Sequence, residues 1–203
     1  MTTQTVRPAT THTTMRPIIT VTAVVLVHLC VIAVLVGAML LLKIPASWQA
    51  TDVDPRIAAA TVDGDRAYLG HYGNAVICVD IKAGKILWTF RDKGFPYFAS
   101  PAIDQGFVVI GGRDRQVHCL EQATGKRKWV YKTRGKVDAS ATLCDNKVVI
   151  GSEDGTLLIL DFATGKLIWK YTIGRAVMCS PLIHDGRIYV GSDDGYLYAF
   201  EPV

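Results

Sequence analysis

Histidine is the side chain of this sequence best suited to metal binding or proton transfer. The chain has 203 residues and five histidines, of which three lie beyond residue 45: His71, His118 and His184. They fall at different positions of the repeat described below, without the spacing that a metal site requires. The sequence also has no glycine-rich phosphate-binding loop and no Gly-x-Ser-x-Gly nucleophile motif. The histidines therefore predict no metal site.

Neighbouring carboxylates could act as an acid/base pair or as calcium ligands. Two such pairs occur, Glu153-Asp154 and Asp193-Asp194. Each pair lies in a turn that recurs in every repeat, whereas an active site needs only one acid/base pair. The turn also offers fewer oxygen ligands than calcium normally binds. We therefore expect no catalytic residue, no bound cofactor and no metal, and do not expect an enzyme.

Five cysteines are present, and an odd number does not form a complete disulfide framework. Cys78 and Cys119 occupy equivalent positions of adjacent repeats, which are not expected to lie within disulfide reach. These residues are predicted to be buried free thiols.

Basic side chains gather in the segments that follow each tryptophan, whereas the acidic pairs lie in turns. In a meander of four strands both types of loop emerge on the same edge. Two interpretations stay open: the charges pair across this edge, or the edge is a rim that binds a partner. The candidate rim residues are Arg91, Lys93, Arg134, Lys136 and Arg175.

Charge gives no support for nucleic-acid binding. The net charge is +4, and Arg7, Arg16 and Lys43 supply three of these charges because residues 1–45 contain no acid. The remainder of the chain carries only +1, far from the basic surface that phosphate backbones require.

A regular repeat positions all of these residues. Its tryptophans stand 40, 41 and 40 residues apart: Trp48, Trp88, Trp129 and Trp169. A glycine in a Gly-Lys turn precedes the last three: Gly84, Gly125 and Gly165. Such glycines suit a left-handed turn, and each tryptophan can clamp one repeat to the next. A period near forty residues indicates stacked or radial repeats, because one unit cannot bury its own apolar face.

Each repeat predicts four strands. A second glycine column, at Gly70, Gly111, Gly151 and Gly191, closes apolar runs and precedes polar hairpin turns. Third strands are predicted at residues 75–80, 116–121, 156–161 and 196–201, each ending on a carboxylate. First strands are predicted to begin near Ile57, Phe98, Asp138 and Met178. The sequence therefore predicts an all-β propeller built from four-stranded blades.

The motif Gly-Ser-x-Asp-Gly-x-Leu-x-x-Leu-Asp-x-x-Thr-Gly-Lys-x-x-Trp, at residues 151–169, resembles the PQQ-type propeller repeat. That repeat occurs in quinoprotein alcohol dehydrogenases and in BamB-like propellers of the outer-membrane β-barrel assembly machinery. The resemblance covers residues 48–203 and implies a propeller outside the cytoplasm. The dehydrogenases carry a vicinal Cys-Cys pair at their quinone, and this sequence has none.

The repeat count leaves ring closure open. Four sets of inner strands are present, and the last set is not followed by a tryptophan strand. At the other end of the repeats, the strand that contains Trp48 has no inner strands before it. The propellers that the chain resembles commonly have eight blades. We therefore expect two chains to form one eight-bladed ring, each donating its Trp48 strand to the other. The alternatives are a closed ring of four blades or an open arc completed by another protein.

The N-terminal residues differ in composition from the repeats, which we place at residues 46–203. Residues 1–17 form a threonine-rich tail predicted to be disordered, and residues 18–42 are predicted to form one transmembrane helix because 25 successive residues from Ile18 carry no charge. A cleaved signal peptide is the rival interpretation, but its apolar stretch is normally much shorter. We expect a cytoplasmic N-terminus and a propeller outside the cytoplasm, periplasmic in a Gram-negative cell.

Taken with the resemblance, these features predict a membrane-tethered, non-catalytic scaffold that binds a protein partner through its exposed loops. The alternative is a quinone-dependent dehydrogenase or its subunit, with PQQ as cofactor. Fold resemblance does not decide between them, because scaffolds and enzymes share the same blade-packing motif.

Overall fold

The computed structural model describes residues 57–201, which form fifteen antiparallel strands in four sheets. Blades 1 and 2 contain β1 (Ile57–Asp63), β2 (Arg66–His71), β3 (Ala75–Asp80) and β4 (Lys85–Phe90), then β5 (Ala102–Asp104), β6 (Phe107–Gly112), β7 (Gln116–Glu121) and β8 (Arg127–Lys132). Blades 3 and 4 contain β9 (Thr142–Cys144), β10 (Lys147–Gly151), β11 (Thr156–Asp161) and β12 (Leu167–Thr172), then β13 (Leu182–His184), β14 (Arg187–Gly191) and β15 (Leu197–Phe200).

Each sheet is a meander in which consecutive strands pair, and the first strands of neighbouring blades contact one another in chain order. This arrangement confirms the predicted all-β fold of four-stranded blades, with three strands in blade 4 within the described residues. The tail at 1–17, the helix at 18–42 and the Trp48 strand lie outside those residues. Between residues 57 and 201, no helix has the length and apolarity needed to cross a membrane.

Strand positions agree with the sequence patterns in blade 1, where the first strand begins at Ile57 as predicted, but differ at the first strands of blades 2 to 4 and at the third strand of blade 4, which covers Leu197–Phe200 instead of 196–201. The third strands of blades 1 to 3 have the predicted bounds, whereas the first strands of blades 2 to 4 begin at Ala102, Thr142 and Leu182, four residues after the predicted starts. Pro101 and Pro181 immediately precede two of these strands and have no N–H for a sheet ladder. The preceding residues instead form part of the connection between blades.

Turn residues explain how the strands reverse. Gly84, Gly125 and Gly165 have φ of 64°, 70° and 70°, in the left-handed region that glycine adopts without strain. The carboxylate that ends each third strand accepts hydrogen bonds from the same turn, as Asp161 Oδ1 does from the Thr164 N–H at 2.8 Å. The predicted Gly-Lys turns are therefore closed by the acid that precedes them.

Apolar side chains are buried between neighbouring blades, so each blade completes the core of the next. Val109, Val117 and Cys119 of blade 2 pack against Val148 and Leu160 of blade 3. Similar clusters join blade 1 to blade 2 and blade 3 to blade 4. Cys78 and Cys119 are buried free thiols, and no disulfide is present among the described residues.

Blade 4 exposes the face that blades 1 to 3 use for packing. Leu197 of this face corresponds to Val117 of blade 2 and to Leu157 of blade 3, both fully buried. Leu182 and Leu197 are instead 62% and 74% exposed. This apolar sheet face is without a partner in the part of the chain that the structure describes.

Candidate functional site

One edge of the blades gathers the loops that carry the predicted binding residues. Residues 133–141 connect blade 2 to blade 3, and their Val137 N–H donates to Gly112 O of the blade 2 turn at 3.1 Å. Lys136 O accepts from the Glu153 N–H of the blade 3 turn at 2.8 Å. Connections and second hairpin turns therefore meet on one edge, as the strand order predicts. We call this edge the rim.

The five candidate cations lie on the rim in two kinds of environment. Arg91 donates through Nη1 to Gly73 O at 2.6 Å, and Lys136 Nζ lies 3.5 Å from Glu153 Oε2. Among the described residues, no acidic side chain pairs with those of Lys93, Arg134 and Arg175, all of which are exposed. Pairing across the rim therefore accounts for one of the five cations and leaves three available to a partner.

Aromatic side chains accompany the rim cations in blades 1 and 2. Tyr72 and Phe95 are exposed, and the Tyr72 ring lies 4.4 Å from the Phe98 ring between centroids. The Arg113 guanidinium lies 3.9 Å above the Phe98 ring while forming a bidentate ion pair with Asp138. Exposed aromatic and arginine side chains are the types enriched in protein interfaces. The sequence analysis did not single out this group.

A polar cavity of about 320 Å³ opens beside the rim between blades 2 and 3. Three cations line it: Lys132, Arg134 and Lys170. The lining also includes hydroxyl groups from Thr133, Thr156 and Thr172, with Asp154 as the single acid. The surplus of positive charge fits an acidic side chain or another small anion.

The Asp154 carboxylate offsets only one of the three positive charges of this cavity, and its oxygens already accept hydrogen bonds from the turn and the blade connection. Oδ1 accepts from the Thr156 hydroxyl at 2.5 Å, and Oδ2 accepts from the Arg134 N–H at 3.0 Å. Burial raises the pKa of Asp154, but the bonds from Thr156 and Arg134 outweigh it and lower the pKa below its ordinary value. Asp194 holds the equivalent turn in blade 4 by accepting from the Tyr196 N–H. These carboxylates organise the turns in which they lie.

A second polar group is buried between blades 1 and 2. We define this buried polar cluster as Asp92, Tyr97, Asp114, Gln116, His118 and Arg127. His118 Nε2 lies 2.8 Å from Asp114 Oδ2, and neither side chain is exposed. Gln116 donates through Nε2 to the same oxygen at 2.7 Å. Arg127 Nη1 donates to Asp92 Oδ2 at 2.5 Å on the solvent side.

Two polar atoms of the buried polar cluster have no hydrogen-bond partner in the described structure: the Tyr97 hydroxyl and His118 Nδ1. Burial, reinforced by the negative charges of Asp114 and Asp92, raises the pKa of Tyr97, which keeps its hydroxyl protonated. Burial also acts to raise the pKa of Asp114, but contacts with His118 and Gln116 lower it overall. Asp114 is thus a buried anion beside an unsatisfied phenol.

His118 was not predicted as a ligand, because no other histidine lies at a metal-binding spacing from it in the sequence. The structure places His118 beside Asp114 and Asp92, and the three offer ligand atoms that lie within 4.8 Å of one another. Alignment of the repeats carries a signal for this group, since Ile77 and Leu158 occupy the position of His118 in the neighbouring blades. Blade 4 has Tyr198 there, and its hydroxyl donates to the turn carboxylate of Asp194, so a buried imidazole is found at this position only in blade 2 of the four described blades.

The repeat tryptophans join neighbouring blades. Trp129 donates its indole N–H to Phe162 O of blade 3 at 2.9 Å, and its ring lies against Gly165. Trp88 contacts Gln122 O and Gly125 of blade 2 in the same way. Trp169 is only partly buried, in a cluster with residues of blade 4. The described tryptophans and their turn glycines thus hold the blades together and stand away from the rim.

Comparison with known proteins links this arrangement to a family. The family model described as outer membrane protein assembly factor BamB matches residues 46–176 and 135–203. Outer membrane protein assembly factor BamB of Salmonella typhimurium is 31% identical over 84 residues, which are 41% of this chain and 20% of that protein. The match therefore spans about a fifth of the curated relative.

Solved structures show the same fold. BamB from Moraxella catarrhalis aligns with a TM-score of 0.64 at 26% identity, over 71% of this chain and 46% of that one. A quinohemoprotein alcohol dehydrogenase from Pseudomonas putida aligns with a TM-score of 0.60 at 18% identity, over 70% of this chain and 29% of that enzyme. The second likeness concerns the fold alone. Together these matches confirm the predicted resemblance to PQQ-type propellers.

Proposed function

The chain belongs to the outer membrane protein assembly factor BamB family of PQQ-type repeat propellers, and from this premise we propose that it is a non-catalytic scaffold for a protein partner in outer membrane assembly. The observation that carries the proposal is the rim, where Lys93, Arg134 and Arg175 are exposed cations without an acidic partner among the described residues. Exposed aromatic side chains lie on the same edge.

The rim also indicates the chemistry of the partner. Arg134 lines the cavity between blades 2 and 3 together with Lys132 and Lys170, and the turn occupies the carboxylate of Asp154. A carboxylate of the partner that enters this cavity would meet three cations and several hydroxyl groups. We propose that the partner presents an acidic segment to the rim, with the aromatic side chains of blades 1 and 2 supplying apolar contacts.

Charge reversal at the rim tests this proposal. The double substitution Arg134→Glu and Lys136→Glu removes two cations and places new anions beside Glu153 and Asp154. We expect it to weaken capture of the partner from detergent-solubilised membranes by at least about tenfold, or 1.4 kcal/mol. The control is Lys126→Glu with Lys166→Glu, which makes the same charge change in the exposed Gly-Lys turns of the opposite edge. Equal loss with both double variants would contradict a role for the rim.

We further propose that residues 18–42 tether the scaffold to a membrane, with the N-terminus cytoplasmic and the blades outside the cytoplasm. The support is 25 uncharged residues in succession, a length sufficient to span a bilayer. The family name places its members in outer membrane assembly, which agrees with an extracytoplasmic propeller. Protease digestion of intact spheroplasts should remove the blades and leave residues 1–17 protected.

We propose that a second copy of the chain covers the exposed face of blade 4, giving an eight-bladed ring from two chains. Leu182 and Leu197 of this face are exposed, although the equivalents of Leu197 in blades 2 and 3, Val117 and Leu157, are buried between blades. The alignment with 46% of Moraxella catarrhalis BamB agrees with this chain supplying about half of a larger propeller.

The mass of the detergent-purified chain, measured by light scattering with detergent correction, is expected to be that of a dimer. Leu197→Asp should yield monomers because it places a charge in the proposed contact, whereas Leu167→Asp on an outer strand should leave the dimer intact. A monomeric parent chain would contradict the dimer and leave a closed four-bladed ring or an arc completed by another protein.

The competing proposal, a quinone-dependent dehydrogenase or its subunit, makes a different prediction. It requires a quinone absorbance that appears when PQQ and calcium are added to the purified chain. A chromophore bound at one equivalent per chain would favour the enzyme and argue against a purely structural scaffold.

A further inference from the structure

We propose that the buried polar cluster between blades 1 and 2 binds one divalent transition-metal ion, with Asp92, Asp114 and His118 as its ligands. The three residues offer two carboxylate oxygens and one imidazole nitrogen, and these atoms lie within 4.8 Å of one another. They come from the blade connection, the turn before β7 and β7 itself. An ion bound there would fasten the connection to blade 2.

Unsatisfied buried groups provide an independent indication of a ligand. The Tyr97 side chain is fully buried, and its hydroxyl has no partner in the described structure. A Cβ placed on Gly112 would lie 2.9 Å from Tyr97 Cε1 and 2.5 Å from Asp114 Oδ1, so the edge of the ring lies near the Asp114 carboxylate, and the ring centroid lies 5.7 Å from that of His118. Leaving a buried hydroxyl unpaired is unfavourable, because the group has lost its hydrogen bonds to water. A bound ion, or water on that ion, would supply the missing partner.

Blades 1 and 3 show that a polar residue at the position of His118 is not required for packing. That position holds Ile77 in blade 1 and Leu158 in blade 3, and both belong to apolar clusters. In blade 4 it holds Tyr198, whose hydroxyl donates to Asp194 Oδ2 at 2.6 Å. Blade 2 differs from blade 4 in offering an imidazole nitrogen beside a second carboxylate, that of Asp92, where the next connection has Thr133.

Charges and ligand types suit a first-row divalent ion. His118 Nε2 and Asp114 Oδ2 are 2.8 Å apart, a hydrogen-bond distance, and would have to separate to about 3.3–3.6 Å as neighbouring ligands of a tetrahedral ion at about 2.0–2.2 Å. Asp92 and Asp114 supply two negative charges, and Arg127 now pairs with Asp92 at 2.5 Å. The Arg127 side chain is 40% exposed and can turn outward, leaving two carboxylates to neutralise one divalent ion. The imidazole favours zinc over calcium and magnesium, and the two carboxylates also suit manganese.

Metal titration of the full-length chain in detergent tests the assignment. After chelator treatment, the chain is titrated with zinc, manganese and, as a spectroscopic probe, cobalt, and bound metal is measured after removal of the free ion. We expect one ion per chain and a higher thermal unfolding midpoint. His118→Leu, which installs the blade 3 residue, should weaken binding by at least about tenfold.

His184→Ala is the control, because it removes a histidine whose Nε2 also lies near a carboxylate, Asp185 Oδ2 at 3.4 Å, but on an exposed hairpin away from the buried polar cluster. It should leave binding unchanged. If His118→Leu does not fold, Asp92→Asn decides, since Asp92 is partly exposed at the edge of the cluster. Absence of stoichiometric binding by all three metals, or binding unaltered in the ligand variant that folds, would overturn the site.

Discussion

Replacing Gly151 with alanine is expected to lower the free energy of unfolding by at least about 3 kcal/mol. Gly151 ends the second strand of blade 3 where the connection to blade 4 crosses it. A Cβ at this position would stand 2.7 Å from Val177 O and closer still to Val177 Cγ1. Backbone oxygen cannot move aside without breaking the contact between the blades, so the connection must shift. Urea unfolding followed by far-ultraviolet circular dichroism measures the loss.

Gly191 provides the control within the same column of glycines. The nearest atom to an added Cβ there is Cys179 Sγ at 3.4 Å, an ordinary contact. Gly191→Ala should therefore change the free energy of unfolding by less than about 1 kcal/mol. The change can even be stabilising, because alanine lowers the conformational entropy of the unfolded chain. Equal losses at Gly151 and Gly191 would show that strand conformation, and not the approach of the next blade, selects glycine at this position.

Removing the indole of Trp129 should cost about 3–5 kcal/mol, because Trp129→Ala deletes a large buried ring and a buried hydrogen-bond donor together. The ring fills the space above Gly165, and its N–H satisfies Phe162 O at 2.9 Å. Trp129→Phe should retain part of the ring packing and lose the hydrogen bond, giving an intermediate loss. Circular dichroism is the suitable probe, since substitution of tryptophan alters the intrinsic fluorescence.

Trp169→Ala is the matched comparison for that prediction. Trp169 holds the same repeat position but is only partly buried, and its ring contacts Tyr171 and Phe200 at 5.9 and 5.5 Å between centroids. We expect it to cost less than half as much as Trp129→Ala. If the two substitutions are equally destabilising in the isolated chain, the clamp between blades is not the source of the tryptophan's contribution.

The fold was predictable because its signals are local and repeated. The Gly-Lys turns need a left-handed glycine, observed at Gly125 and Gly165, and the preceding carboxylate caps the turn. The third-strand bounds follow from apolar runs between two such turns. First strands were predicted four residues early, because an extended segment within a connection has the same local pattern as a paired strand.

The reason for the second glycine column was not predictable from the repeat. Gly111 and Gly151 are required by the approach of Val137 and Val177 from the following connections. Such contacts join residues 26 apart in the chain, and spacing in the sequence does not show which groups they bring together. The buried polar cluster was missed for the same reason, since Asp92 and His118 meet only when the connection folds onto blade 2.

The candidate rim was only partly predictable. Strand order was sufficient to place the connections and acidic turns on one edge, and the structure pairs Lys136 with Glu153 there. Side-chain positions decide which cations stay unpaired. They also place Arg134 in a cavity with Lys132 and Lys170, which the strand order does not predict. Exposed Tyr72 and Phe95 add an apolar component that charge patterns do not reveal.

Site-specific photo-crosslinking in membranes tests the scaffold proposal most directly. A photoreactive residue at Arg134 on the rim is compared with one at Lys166 on the opposite edge, and the adducts are identified by mass spectrometry. The proposal predicts an adduct with an outer membrane assembly protein from Arg134 and none from Lys166. A folded, membrane-localised chain that gives no adduct at Arg134, or the same adducts from both edges, would contradict partner binding at the rim.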